Sequence, residues 1–135
     1  MGVHQATLAD VLRHFGQGNL RRRALGQRLQ RIYAAVQQTG YLARFIVFGS
    51  FVTAKPDPGD IDIFLLMDDL FDVGRMSGEA VIPFDHLAAQ NYLGASIFWV
   101  RRLAALGGEE AAIGDWQHKR DGTRRGIIEI VEHDT

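Results

Sequence analysis

The stretch Arg44-Phe45-Ile46-Val47-Phe48-Gly49-Ser50, followed after nine residues by Asp60-Ile61-Asp62-Ile63-Phe64-Leu65-Leu66-Met67, decides how this chain is read. Residues 44–48 form a short apolar run, β-branched and aromatic, that stops at a glycine, which is a strand signature. Residues 54–59, Ala-Lys-Pro-Asp-Pro-Gly, admit only a loop or turn. Residues 61–67 read as a second strand. Its unbroken apolar character after Asp62 predicts burial on both faces.

Alternation along a strand puts Asp60 and Asp62 on one face and Ile61 and Ile63 on the other. Two adjacent carboxylates repel, and burying them uncompensated is costly. A divalent cation resolves the conflict, and magnesium favours one or two carboxylates plus substrate phosphates. Alone, an Asp-x-Asp more often caps a turn than binds an ion. Gly49 lets backbone N–H groups approach an oxyanion closely. Ser50 adds a hydroxyl and an N–H at the start of a helical turn, Phe51-Val52-Thr53, and such a nest of donors binds phosphate. Each half is common; together they bring a phosphate grip and a cation site onto neighbouring strands. A P-loop is excluded, because no Lys-Ser/Thr follows the glycine.

In Phe48-Gly49-Ser50 and Asp60-Ile61-Asp62-Ile63 the chain resembles the nucleotidyltransferase superfamily related to DNA polymerase β, particularly its minimal prokaryotic members. The resemblance implies an α/β (α+β) domain of the polymerase β-like nucleotidyltransferase fold, a small mixed β-sheet flanked by helices. It implies binding of ATP or another nucleoside triphosphate with magnesium, or manganese in its place. The nucleoside monophosphate would pass to a hydroxyl on a protein or RNA. Gly49 and Ser50 would hold the triphosphate, with Lys55 in the intervening loop as a further contact. Asp60 and Asp62 would hold two metal ions and carry the chemistry. Small relatives of this type occur as antitoxins beside a helical RNase-like toxin, so a toxin protein is an expected partner. A solvated loop lysine is the competing reading of Lys55.

The family pattern also places a third carboxylate on the next core strand, at a slot that here falls on Ser96. Serine is neutral, a weak metal ligand and a poor base. Glu129 and Asp85 are the nearby substitutes. The favoured readings are an outward position on an edge strand for Glu129 and a helix cap for Asp85. Two function classes follow: an active transferase, or a catalytically degenerate nucleotide- or partner-binding module.

Around this centre, residues 5–15 and 20–39 read as helices, the second with Leu25, Leu29, Ile32 and Val36 at helical spacing. Asn19 is its expected N-cap, Gly40 its stop, and Gly26 an interruption. Residues 68–82 read as loop, 84–93 as a short helix, 95–100 as a strand, 108–119 as a helix, 120–126 as a turn and 126–131 as a last strand. Strands interleaved with helices predict one layered domain over 1–135. His118-Lys119-Arg120 with Arg124-Arg125, and separately Arg21-Arg22-Arg23, read as solvated runs or as contacts to a polyanion such as RNA. The histidines, His86 included, have no metal-ligand spacing. Trp99 and Trp116 read as core or interface residues.

Composition narrows the classes further. The 135 residues carry a net charge of −1, with 47% hydrophobic and 23% charged residues, ordinary for a globular domain. Without cysteine there is no disulfide, thiolate metal site or cysteine nucleophile. No apolar run spans a bilayer and no signal pattern opens the chain, so the expectation is no membrane partner and a cytoplasmic location. Residues 1–40 carry six arginines against Asp10, whereas 57–85 carry eight acids against Arg75. So much apolar surface on a small domain points to a homodimer or a partner protein.

Overall fold

The structure, a computed structural model, describes residues 4–52, 58–59, 61–102 and 127–131. The described strands are β1 (His4–Thr7), β2 (Leu42–Phe48), β3 (Ile61–Met67), β4 (Ala95–Arg101) and β5 (Ile127–Val131), joined in one mixed sheet of order β1-β5-β2-β3-β4. β2 is antiparallel to both β3 and β5, while β3 runs parallel to β4 and β1 parallel to β5. The helices are α1 (Leu8–Phe15), α2 (Leu20–Gln37) and the short α3 (His86–Ala88), which runs on into one π-helical turn, Ala89–Leu93. The fold is therefore mixed α and β, as the interleaved pattern predicts.

Alternation along the strands sorts the core into two layers. Ile61, Ile63, Leu65 and Met67 of β3 point to one face, where they meet Val11 of α1, Leu25, Leu29, Ile32 and Val36 of α2, and Phe71, Phe84 and Ala89 of the β3–β4 connection. On the other face Phe64 and Leu66 cluster with Ile46, Phe48 and Ile127. Both sets are buried, so β3 is covered on both sides. Each fully buried aliphatic or Phe side chain contributes about 1.5–3 kcal/mol relative to exposure.

Asn19 does cap α2: its side chain accepts from the Arg22 N–H at 2.8 Å. Gly40, at φ +77°, follows the helix end. Gly26 is explained by contact rather than weakness. A Cβ there would lie 3.2 Å from Gly16 Cα and 3.3 Å from Leu12 Cδ2, so the glycine lets α1 and α2 cross closely.

Three expectations are corrected. The helix read over 5–15 begins only at Leu8, because residues 4–7 pair with 128–131 as a strand. Long-range pairing overrides local helical patterning there, and Thr7 becomes the N-cap, its hydroxyl accepting from Asp10 N–H at 3.1 Å. The loop read over 68–82 is partly organised into 3-10 turns at Val73–Arg75 and Gly78–Phe84. Glu129 is not outward on an edge. β5 lies inside the sheet between β1 and β2, and Glu129 is 7% exposed. Its carboxylate accepts two hydrogen bonds from Arg44, from Nε at 3.1 Å and Nη2 at 2.7 Å. That bidentate pair is how a charge sits in an apolar strand. Smaller shifts extend β2 to Leu42 and β4 to Arg101, and end α2 at Gln37. The helix read over 108–119, the turn over 120–126 and the basic residues within them lie outside the described residues.

Candidate functional site

β2 ends at Phe48, and Gly49 turns the chain with φ +87°, a conformation only glycine adopts without strain. Ser50–Val52 follow as one 3-10 turn, closed by Val52 N–H to Gly49 C=O at 3.3 Å. Because β2 and β3 are antiparallel, the end of β2 lies beside the start of β3, and Phe48 pairs with Asp62. The Asp62 carboxylate then rests directly on the Gly49 backbone. A Cβ added at Gly49 would lie 3.2 Å from Asp62 Cγ and would overlap Oδ2. Glycine is needed there twice, for the backbone angle and for the carboxylate's seat.

The return of the loop is tied to the same turn. Ser50 Oγ accepts from Gly59 N–H at 3.0 Å. Arg21 Nε donates to the Pro58 carbonyl at 3.0 Å. The glycine-serine turn and the head of β3 are thus held together by hydrogen bonds from both sides. Asp60 and Lys55 lie outside the described residues.

β4 completes the row. In the parallel β3–β4 pair, Ser96 is the direct partner of Asp62. Phe48, Asp62 and Ser96 therefore stand in line across three strands. Ser96 Oγ has Gln90 Nε2 as a donor at 3.4 Å. Neither substitute carboxylate supplies what serine lacks. Glu129 sits on β5 opposite Ile46, a strand beyond β2, with both oxygens engaged by Arg44. Asp85 caps α3, accepting from Ala88 N–H at 3.1 Å. Among the described residues no group of three or more His, Asp or Glu side chains is arranged to hold a metal.

Sequence reading took Arg21-Arg22-Arg23 as a single run, whether solvated or polyanion-binding. Helical geometry, at 3.6 residues per turn, sends the three in different directions. Arg23 is exposed, Arg21 reaches Pro58, and Arg22 is 7% exposed. Arg22 Nη1 donates to Phe51 C=O at 2.9 Å and to Phe15 C=O at 3.1 Å, pinning the turn after Gly49 to the end of α1. The signal was present: position 22 lies three before Leu25 and seven before Leu29, on the buried stripe. His86 is exposed, with Nδ1 3.2 Å from the Ile97 carbonyl, and Trp99 Nε1 donates to Phe84 C=O at 3.0 Å between Phe71 and Phe84.

A mixed five-stranded sheet with helices against it, carrying a glycine-serine turn beside an aspartate at a strand head, defines the class of domain. Residues 1–131 match the family of unknown function DUF6932, and the chain belongs to that family. No curated protein and no solved structure matches the chain. Among the described residues no helix is long and apolar enough to cross a membrane.

Proposed function

We propose that this domain binds a nucleoside triphosphate with magnesium at the Gly49-Ser50 turn and transfers the nucleoside monophosphate to a hydroxyl on a protein or RNA. The observation that carries the reading is the seating of the Asp62 carboxylate on a backbone at φ +87° that no side chain could share. That cradle suits a cation bridged to phosphate. It fixes an oxygen ligand beside N–H groups of a tight turn, opposite charges for the two ends of one metal–phosphate unit. Asp62 and Asp60 are the residues that would hold magnesium, with manganese as its substitute, and the fit rests on Asp62. Bound metal would stabilise the attacking and leaving oxygens of an in-line displacement.

The chain's own residues have separable roles. The Gly49-Ser50 backbone would orient the triphosphate, and the Ser50–Gly59 and Arg21–Pro58 bonds keep the turn aligned with the head of β3. In the transfer, the acceptor oxygen forms a bond to the α-phosphorus, the bond to pyrophosphate breaks, and the hydroxyl proton passes to solvent. A helical toxin encoded beside the chain is the partner to try first. With labelled ATP and magnesium, label is expected on the co-purified acceptor and is expected to vanish in Asp60→Ala with Asp62→Ala. Absence of label from any protein or RNA acceptor, with magnesium-dependent ATP binding intact, would remove the transfer step.

One observation favours a second reading. With Ser96 directly across from Asp62, and both Glu129 and Asp85 otherwise engaged, the row lacks a third carboxylate among the described residues. The site would then bind nucleotide, or a partner protein, without turnover. Magnesium-dependent ATP binding with no transfer to any acceptor would support this second reading, while Ser96→Asp tests the slot itself: it should tighten magnesium binding, and an unchanged titration would sink the slot assignment.

A further inference from the structure

We propose that Arg28 grips an anionic oxygen of the nucleoside triphosphate at the entrance to β4, an assignment that rests on the nucleotide-binding reading above. Arg28 lies seven residues after Arg21 on α2, two helical turns along the same face. Arg21 marks where that face lies, since it bonds the Pro58 carbonyl just ahead of β3. One stop further, Arg28 meets Gly94, the residue immediately before β4. A Cβ at Gly94 would lie 2.5 Å from Arg28 Nη1 and 3.0 Å from Cζ, so the guanidinium is laid on bare backbone. Gly94 has φ +62°, and the strand it opens pairs Ala95 with Ile61 and Ser96 with Asp62. Arg28 therefore reaches, from the α2 side, the same end of the sheet at which Gly49, Asp62 and Ser96 lie, with Asp62 and Ser96 alternating with the α2-facing Ile61 and Ala95.

Its hydrogen-bonding state sets it apart. Arg21, Arg22, Arg44 and Arg101, the other described arginines that are not exposed, each donate to a protein oxygen. Arg28 is half-buried, and among the described residues no carboxylate, carbonyl or hydroxyl accepts from it. Its donors are open to solvent rather than buried, and a solvent-open guanidinium with no protein acceptor is available to a ligand. Phosphate oxygens suit a planar guanidinium, which can hold them in a bidentate fork. The half-buried arginine without a protein acceptor is thus also the one at the head of β4, beside a glycine that leaves it room.

Calorimetric titration of the full chain with magnesium-ATP and with AMP tests this. Arg28→Ala is expected to weaken ATP binding tenfold or more and to lower the ratio of ATP to AMP affinity, while Arg28→Lys recovers part of both. Gly94→Ala, by pushing the guanidinium off its seat, should shift the ratio in the same direction. Unchanged ATP affinity in Arg28→Ala, or equal loss for ATP and AMP, would overturn the assignment while leaving the nucleotide site standing. Wild-type protein that binds no magnesium-ATP would overturn the functional reading itself, and this inference with it.

Discussion

Two carboxylates, Glu129 and Asp62, lie on the same face of one sheet, and the chain treats them differently. Glu129, inside the sheet at β5, is 7% exposed and has a dedicated guanidinium that meets both its oxygens. Asp62, at the head of β3, is half-buried, rests on the Gly49 backbone and faces Ser96 across the ladder. The first arrangement satisfies a charge with a second charge from the neighbouring strand, and it is complete within the protein. The second seats a carboxylate at a strand end against the backbone of a tight turn, the place of the proposed metal–triphosphate site. Burial of a charge is thus a structural feature at Glu129, and at Asp62 it is the feature on which the proposed binding site rests.

The largest expected effect breaks the structural member of the pair. Removing one partner of a buried ion pair typically costs about 3–5 kcal/mol, because the other is left uncompensated. Glu129→Ala should lower stability by about 3 kcal/mol in urea denaturation. Magnesium-ATP affinity of the folded protein should be retained; its loss would mean that the two carboxylates are not independent.

Gly49→Ala attacks the other member. Left-handed backbone costs a non-glycine residue about 1–2 kcal/mol, and the new Cβ displaces the Asp62 carboxylate. A stability loss of about 2 kcal/mol together with loss of magnesium-ATP binding is expected. A variant destabilised by that amount that still binds normally would detach the carboxylate's seat from function. Gly26→Ala is a neutral probe of the helix layer. Its gain in helix propensity of about 1 kcal/mol is outweighed by overlap with Gly16, for a net loss of about 1 kcal/mol by the magnitude of overpacking. Nucleotide binding should be unchanged.

The smallest effect concerns Asp10, half-buried in the first turn of α1. Hydrogen bonds from the Thr7 hydroxyl and backbone, and the Arg13 guanidinium, hold its carboxyl below the usual value. A lowered folded value means the contribution is present above the unfolded value near 3.8 and is lost as pH falls through the folded one. Asp10→Asn should therefore lower the melting temperature slightly at neutral pH, with the difference vanishing in acid. A difference that persists in acid would assign the effect to something other than charge.

Legibility followed the range of the interactions. β3 was read to the residue, because Ile61 to Met67 is apolar apart from Asp62 and bounded by proline, glycine and acid. The strand carrying Ser96 was readable from its apolar run, but its parallel pairing with β3, which sets Ser96 opposite Asp62, is long-range and was not. The N-terminal strand was not, because residues 4–7 carry no strand pattern and become one only by pairing with 128–131. That omission caused the misplacement of Glu129: without β1, β5 looks like an edge, and an edge position explains a charge without a partner. Arg44, 85 positions away in sequence, could not have been matched to it by local pattern. Arg22 was readable in principle from its place on the buried stripe of α2, but three consecutive arginines disguised it as a solvated run.

The central claim is that the Gly49-Ser50 turn and the carboxylate at the head of β3 form one metal–triphosphate site. Calorimetric titration of ATP into the protein, with magnesium and then with chelator, tests it most directly, alongside Asp60→Ala with Asp62→Ala. The account predicts binding that requires magnesium and disappears in the double variant at unchanged melting temperature. ATP binding that ignores both chelator and the aspartates, or no binding at all, would contradict it.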